Sequence, residues 1–299
     1  MHSIDWKILE RLRAAFLDGS AGQGDYWKSE SDLENYDQTF AQRIGWKWDY
    51  VLRELKRRGW SPQSGDVLDW GCGTGIASRK FLEHFAGVRR LYLCDRSPLA
   101  MKFAARRVRD VEVWQESVPP RSVDVLLISH ALTEQPESFA LPCEAKSVII
   151  VEPGTYEVSR RLIALRERLR GEFNVAAPCT HQAACGMLAA DNERHWCHHF
   201  APTPTEVFMD GDWVRFAKLA GIDLRSLPVS YLVLDRRPAP AGGMRVIGRP
   251  RVYKAHALVL GCDADGVRER RVEKRTEPEL YRRLKKGTAD SLWAEKKAP

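Results

Sequence analysis

Between residues 66 and 151 the chain alternates short apolar runs with segments whose apolar positions fall three and four apart. The runs at 66–70, 89–94, 111–114, 123–128 and 147–151 lack the strict apolar/polar alternation of a strand with one wet face. Strands covered on both faces read this way, so a parallel sheet flanked by helices is expected. Ser97 and Pro98 supply a cap and a first-turn proline, which predicts a helix over 98–109. A helix over 155–170 should follow the fifth strand. Upstream, Ile4, Ile8, Leu12 and Phe16 share one helical face, as do Trp48, Val51, Leu52 and Leu55. These spacings predict helices over 3–17 and 46–58, with a loop over 19–24 between them.

After Glu172 the alternation stops. Residues 174–204 carry three cysteines, four histidines and four prolines or glycines in irregular order. That segment reads as an insertion held by a ligand rather than by its own core. A helix over 206–220 and strands over 229–234 and 252–260 come next. The charged end, 265–299, reads as a ribbon or helix around Tyr281 and Trp293. The expected organisation is an N-terminal helical region (1–60), a Rossmann-like core (61–173), a metal-binding insertion (174–204), the remaining core strands (205–262) and a basic C-terminal extension (263–299).

The candidate chemistry lies at the end of the first strand. Val67-Leu68-Asp69-Trp70-Gly71-Cys72-Gly73-Thr74-Gly75 runs from an apolar strand through an acid into alternating glycines, and Asp95 ends the second strand twenty residues past Gly75. Glycine lets the backbone turn tightly and approach a ligand, and the helix behind it offers unpaired amides. The glycine spacing favours S-adenosylmethionine over a dinucleotide. In this reading Gly71, Gly73 and Gly75 form the turn and Asp69 holds the ligand's ammonium group. Asp95 takes the two ribose hydroxyls. Glu116, or Gln115 in its place, meets the adenine. Ser129 and His130 close the fourth strand on the side where the methyl acceptor enters. The expected class is α/β, a class I S-adenosylmethionine-dependent methyltransferase (Rossmann-like) fold with N-terminal helices and a cysteine-ligated metal insertion. Methyl transfer mostly requires alignment and exclusion of water, so no catalytic base is demanded. The fourth strand lacks the Asn/Asp-Pro-Pro-aromatic motif of many exocyclic-amine methylases. Pro142-Cys143 lacks the surroundings of a cytosine C5 nucleophile. Catalytic residue and acceptor atom stay unassigned.

Seven cysteines among 299 residues, without a secretion signal, do not suggest a disulfide framework. Cys179, Cys185 and Cys197 are separated by five and eleven residues, and Cys262 lies at the end of an expected strand. Four thiolates suit an iron–sulfur cluster or zinc, and His181, His195, His198 and His199 keep a Cys3His zinc site open. Spacing alone does not choose among cluster, zinc and no metal. Cys72, Cys94 and Cys143 read as structural. No apolar run is long enough to span a membrane. Asp5, Glu10 and Asp18 in the first helix argue against an organelle transit peptide, so a cytoplasmic location and a monomer are expected. The net charge of +7 is uneven: residues 236–299 hold 17 basic and 8 acidic side chains. A localised basic surface suits a phosphate backbone.

Five segments together carry a family resemblance: Val151-Glu152-Pro153-Gly154-Thr155, Ala177-Pro178-Cys179-Thr180-His181 on to Cys185, Trp196-Cys197-His198-His199-Phe200, Ser230-Tyr231-Leu232-Val233-Leu234, and Arg249-Pro250-Arg251 leading to Cys262. From about residue 30 onward the chain resembles the methyltransferase-like proteins associated with the small ribosomal subunit. Mitochondrial members of that group act in mitoribosome assembly, and the group also occurs in bacteria. The resemblance implies a structural 4Fe–4S cluster on Cys179, Cys185, Cys197 and Cys262, and the small ribosomal subunit or its rRNA as partner. Thr180 and Ala184 stand where the family usually has proline, and neither is a proposed ligand.

Overall fold

The computed structural model describes residues 4–18, 24, 26–239 and 241–294. Apart from Gly24, the loop expected over 19–24 lies outside the described residues, as do residues 295–299 of the basic extension. The first half of the chain forms α1 (Trp6–Asp18), α2 (Glu30–Tyr36), α3 (Gln42–Arg57), β1 (Gly65–Trp70), α4 (Ile76–His84), β2 (Val88–Cys94), α5 (Pro98–Arg107), β3 (Glu112–Gln115), β4 (Ser122–Ser129) and β5 (Glu144–Pro153). The second half forms α6 (Tyr156–Leu169), β6 (Asn174–Ala177), β7 (His199–Phe200), α7 (Gly211–Ala220), β8 (Pro228–Asp235), β9 (Met244–Val252), β10 (His256–Asp263), β11 (Gly266–Glu273), α8 (Pro278–Lys286) and β12 (Leu292–Trp293). The chain divides into two compact units, residues 1–152 with 201–227, and residues 153–200 with 228–299.

In the first unit the strands run β3-β2-β1-β4-β5. All four pairings are parallel. The chain therefore leaves β1 toward β2 on one side and returns to β4 on the other. That reversal opens a crevice at the carboxyl ends of β1 and β4, where ligands bind in doubly wound sheets. Six consecutive residues of β4, Val123 to Ile128, are buried, and so are Ser147 to Glu152 of β5. Each fully buried Val, Leu or Ile among them contributes about 1.5–3 kcal/mol of transfer free energy. This is a class I methyltransferase-like Rossmann fold with N-terminal helices.

Those helices differ from expectation at one place. The apolar stripe predicts a helix from residue 46, but helical backbone already runs from Glu30 through a π-turn at Asp37–Ala41 into α3. Ser29 caps α2, accepting from Asp32 N. Asp37 in the π-turn pairs with Arg79 of α4 and with Arg107 of α5 at 3.4 Å. An ion pair, not an apolar repeat, holds that turn. Near Gly211, Asp210 accepts from Asp212 N and starts α7. Phe216 of α7 then meets Phe40 edge-on at 4.8 Å.

In the second unit β6 and β7 both lie antiparallel on β8. A second, antiparallel sheet has the order β11-β10-β9-β12. The strand expected over 252–260 is in fact two strands, β9 and β10, joined by a turn. Arg249 and Arg251 break the apolar pattern of β9, and Gly248 adopts φ 65°, so the sequence hides this strand. The charged end resolves into β11 and α8. Pro278 opens α8 and left-handed Gly287 closes it. Tyr281 and Leu284 bury one face of α8 on Val246, Ala257, Val259 and Val272.

Candidate functional site

The turn after β1 is built by three left-handed glycines, Gly71, Gly73 and Gly75, at φ 70°, 51° and 74°. They serve different ends. A Cβ on Gly75 would sit 2.9 Å from Ala104 Cβ, so this glycine sets how closely α4 approaches α5. A Cβ on Gly71 would sit 3.1 Å from Ala131 Cβ, beyond the end of β4. A Cβ on Gly73 would meet nothing within 4 Å, which leaves its backbone open to a ligand.

Asp69 is fully buried at the end of β1. Its Oδ2 accepts from Ser78 N at 3.2 Å and from Ser78 Oγ. Its Oδ1 is buried and has no hydrogen-bond partner among the described residues, as has Thr74 Oγ1 in the same loop. Burial pushes the Asp69 carboxyl up to about 7, against the two hydrogen bonds from Ser78. A buried carboxylate oxygen without a donor is costly, and a ligand ammonium group would satisfy it.

Asp95 is half-buried at the end of β2, as the sequence places it, but its oxygens are engaged internally. Oδ2 accepts from Gly73 N at 2.9 Å and Oδ1 from Ser97 N at 2.9 Å. The carboxylate thus ties the glycine turn to the start of α5. Glu116 follows β3 and is half-buried, with its amide donating to Leu93 O at 3.1 Å. Ser129 ends β4, and its Oγ accepts from Trp48 Nε1 at 2.9 Å.

Three residues beside Ser129 had no functional assignment from sequence, or only a loose one. His130 adopts φ 53°, an uncommon conformation for a residue with a side chain. Glu152 Oε1 accepts from Ala131 N at 3.0 Å and Leu132 N at 2.9 Å, and so fixes the turn beyond His130. Lys47 Nζ lies 3.3 Å from His130 Nε2. Burial, then the Arg43 charge, push the Lys47 amine down to about 7, with Glu152 opposing. Burial and Lys47 hold the His130 ring well below its usual range, so it is neutral. One signal was available: Lys47 lies four residues before Val51 and eight before Leu55, on the apolar stripe of α3.

The four cysteines of the second unit share one neighbourhood. Cys262 packs with Ile163, Met187, Ile247 and Val267, and Cys185 and Cys197 pack against that cluster. Burial pushes the Cys197 thiol up, and Cys179, Cys262 and Cys185 add to the effect, so all four lie within electrostatic reach. Gly186 explains the approach of Cys185: a Cβ there would collide with Val267 N at 2.7 Å and Gly266 Cα at 2.8 Å. The segment is also held by polar contacts. Arg160 donates to Met187 O, Asn192 O and Glu193 O. Ser159 and Ser230 both donate to Cys197 O. His181 Nε2 is 3.6 Å from Cys262 Sγ, and His199 Nε2 is 3.9 Å from Cys197 Sγ. Among the described residues, no group of three or more His, Cys, Asp or Glu converges to hold a metal ion. The expected metal insertion is therefore a gathering of thiols, not a formed single-ion site. Cys72 and Cys94 are buried and Cys143 is half-buried.

No described helix is long and apolar enough to cross a membrane. No curated protein is similar enough in sequence to count as a match. Among solved structures, a putative RNA methyltransferase, PH1948 from Pyrococcus horikoshii, is 13% identical, with 64% of this chain and 83% of that one covered and a TM-score of 0.38. The plantazolicin methyltransferase BpumL, solved with SAH, is 14% identical, with 77% and 100% covered and a TM-score of 0.42. A SAM-dependent methyltransferase from Aquifex aeolicus is 18% identical, with 51% and 93% covered and a TM-score of 0.36. All three are remote likenesses. The sequence profile of the family described as mitochondrial small ribosomal subunit Rsm22 matches residues 48–294. This match corrects the expectation of a cytoplasmic location, because the family is a mitochondrial one by description. The acidic residues behind that expectation, Asp5, Glu10 and Asp18, flank or belong to a helix whose Leu9 and Leu12 are fully buried. They are part of a packed element and say nothing about an address. With the greater part of its length matched, the chain belongs to the Rsm22 family.

Proposed function

We propose that this protein is an S-adenosylmethionine-dependent methyltransferase, or a close relative of one, that acts on or with the RNA of the small ribosomal subunit. The buried, unpartnered Asp69 Oδ1 beneath the left-handed glycine turn carries the reading. S-adenosylmethionine, when bound, supplies a methyl group already activated on a sulfonium. The chain's own task is grip and alignment. Asp69 would hold the ammonium group, Asp95 the ribose, and Glu116 the adenine. Gly71, Gly73 and Gly75 let the backbone approach. Ser129 and His130 stand at the acceptor side, with Lys47 behind His130 as an amine lowered to about 7 that can take up or release a proton near neutral pH. Tritium transfer from labelled cofactor to immature small-subunit particles tests the reading. No transfer to any RNA, with cofactor uptake intact in calorimetry, removes the enzymatic half.

The cysteines support a structural 4Fe–4S cluster held by Cys179, Cys185, Cys197 and Cys262. The grouping of Cys179, Cys185 and Cys197 around Cys262 is what supports that reading. Two buried cations, Arg166 and Arg245, stand near the thiols and would offset the charge of four thiolates. Iron, labile sulfide and zinc analysis of anaerobically purified protein decides the matter. One zinc without sulfide overturns the cluster.

A second reading, an assembly factor that binds cofactor without turnover, is favoured by the missing acceptor-specific motif after the fourth strand. Its mark is subunit association that survives Asp69→Ala and fails on Cys197→Ala.

A further inference from the structure

Away from the cofactor turn, the second unit lines up aromatic faces on one side of an extended segment. Side chains alternate along such a segment. Cys197 and His199 turn inward, and His199 is buried, 3% exposed. Trp196, His198 and Phe200 occupy the other side and stay partly exposed. Trp196 and His198 stack with centroids 4.5 Å apart at 20°. Phe200 meets His198 edge-on at 5.4 Å, and exposed Tyr156 meets Trp196 edge-on at 6.1 Å. The row is fixed before any ligand arrives. Trp196 Nε1 donates to Gly154 O at 3.0 Å, and Gly248 N donates to His198 O at 2.9 Å. Gly248 is left-handed, and a Cβ there would stand 3.0 Å from His198 Nε2, so the strand can pass under this ring only as glycine.

Charge lies at one end of the row. The exposed Arg249 guanidinium sits 4.0 Å over the Phe200 ring. Two residues on, Arg251 is ion-paired with Glu269, and Arg271 across the sheet with Glu273, so Arg249 is the cation the row itself carries. At the other end the Arg160 guanidinium lies 5.2 Å over one face of the Tyr156 ring while donating to backbone carbonyls, and Asp191 and Glu193 stand near Tyr156. A phosphate backbone would therefore be met at the Arg249 end, while the rings offer π faces along the rest.

We propose that Tyr156, Trp196 and Phe200, held in a row by His198 and with Arg249 beside them, form a stacking platform for a short unpaired RNA segment. Duplex RNA keeps its bases stacked on each other and offers no free base face, so the platform selects single strands. The ribosomal-RNA reading supplies only the kind of polymer; the site lies outside the cofactor turn. Fluorescence anisotropy with the metal-loaded full chain tests it, using labelled oligoadenylate and an RNA hairpin of equal length. The single strand should bind at least tenfold more tightly. Phe200→Ala and Tyr156→Ala should each weaken it roughly five- to hundredfold, and Phe200→Trp should restore binding. Arg249→Gln should lower the salt slope by about one. Equal binding of strand and hairpin overturns the platform. So does loss confined to Arg249→Gln, which would leave charge alone, and so does capture of a ribosomal protein with no RNA bound. Thermal melts confirm that each variant is folded. Calorimetry with S-adenosylhomocysteine on the same samples separates the two ideas: failed strand preference with cofactor uptake intact sinks only the platform.

Discussion

At the residue scale, two buried ionisable groups of the candidate cofactor site tie binding and stability to pH. Asp69, raised to about 7, is protonated in mildly acidic solution and must release its proton to meet an ammonium group. Cofactor affinity should therefore climb roughly five- to tenfold from pH 6 to 7.5 and then level off. Isothermal titration across that range reads the slope. Asp69→Asn should flatten it and weaken binding roughly ten- to hundredfold. Lys47, lowered to about 7, faces His130, Arg43 and Glu152. Between about 7 and 10.5 the unfolded chain binds the extra proton, so the Lys47 contribution to stability rises with pH through that window and is smallest below it. Lys47→Met should raise stability at pH 7, by on the order of 3–5 kcal/mol at most, and with it the melting temperature, and remove the rise. A variant that melts below the wild type at pH 7 would show that the amine's contacts outweigh its burial. Asp69, Asp95 and the glycines were legible because their chemistry is local: an acid at a strand end and turns that need positive φ. Lys47 was not. Its low pKa comes from the packing of α3 onto the site, and the neighbouring sequence shows only that Lys47 falls on the apolar stripe of that helix.

At the scale of elements, the glycine turn allows strain to be separated from collision. Gly75 and Gly59 share nearly the same φ, 74° and 72°, but only Gly75 has a neighbour, Ala104 Cβ at 2.9 Å. Gly59→Ala should cost about 1–2 kcal/mol for the left-handed backbone alone. Gly75→Ala should cost more, because α4 and α5 must part, and cofactor affinity should fall with it. Equal melting temperatures for the two variants would show that the helices yield freely. The elements legible in sequence were those with continuous apolar runs, β1, β2, β4, β5 and β8, or with a stated start signal, such as α5 with Ser97 and Pro98. The misread ones rest on long-range pairing. In β9 and β11 the exposed arginines Arg249, Arg251, Arg268 and Arg271 mask the strand pattern, and pairing with β10 sets the register. The π-turn after α2 depends on Asp37 meeting Arg79 and Arg107, residues far along the chain.

At the scale of the whole molecule, the two candidate chemistries fall in different units. The glycine turn, Asp95 and Lys47 belong to residues 1–152, and all four clustered cysteines to the other unit. If the four cysteines hold the proposed cluster, chelating its iron should lower the unfolding temperature of the cysteine-bearing unit and leave cofactor affinity within about twofold. Differential scanning calorimetry and titration on one sample check both. A parallel loss of cofactor affinity would tie the units energetically. The positive charge is divided in the same way. The basic residues of 236–299 all lie in the cysteine-bearing unit.

The interleaving of these units along the chain also bears on how the molecule is made. Residues 201–227, which complete the first unit, are synthesised after Cys179, Cys185 and Cys197 have already emerged. Their fourth companion, Cys262, follows Cys197 by 65 positions. At translation speeds of about 5–20 residues per second, three thiols wait on the order of 3–13 s without the fourth. During that interval the nascent chain is open to the wrong metal or to oxidation, and slowing elongation between these codons should lower the yield of correctly loaded protein.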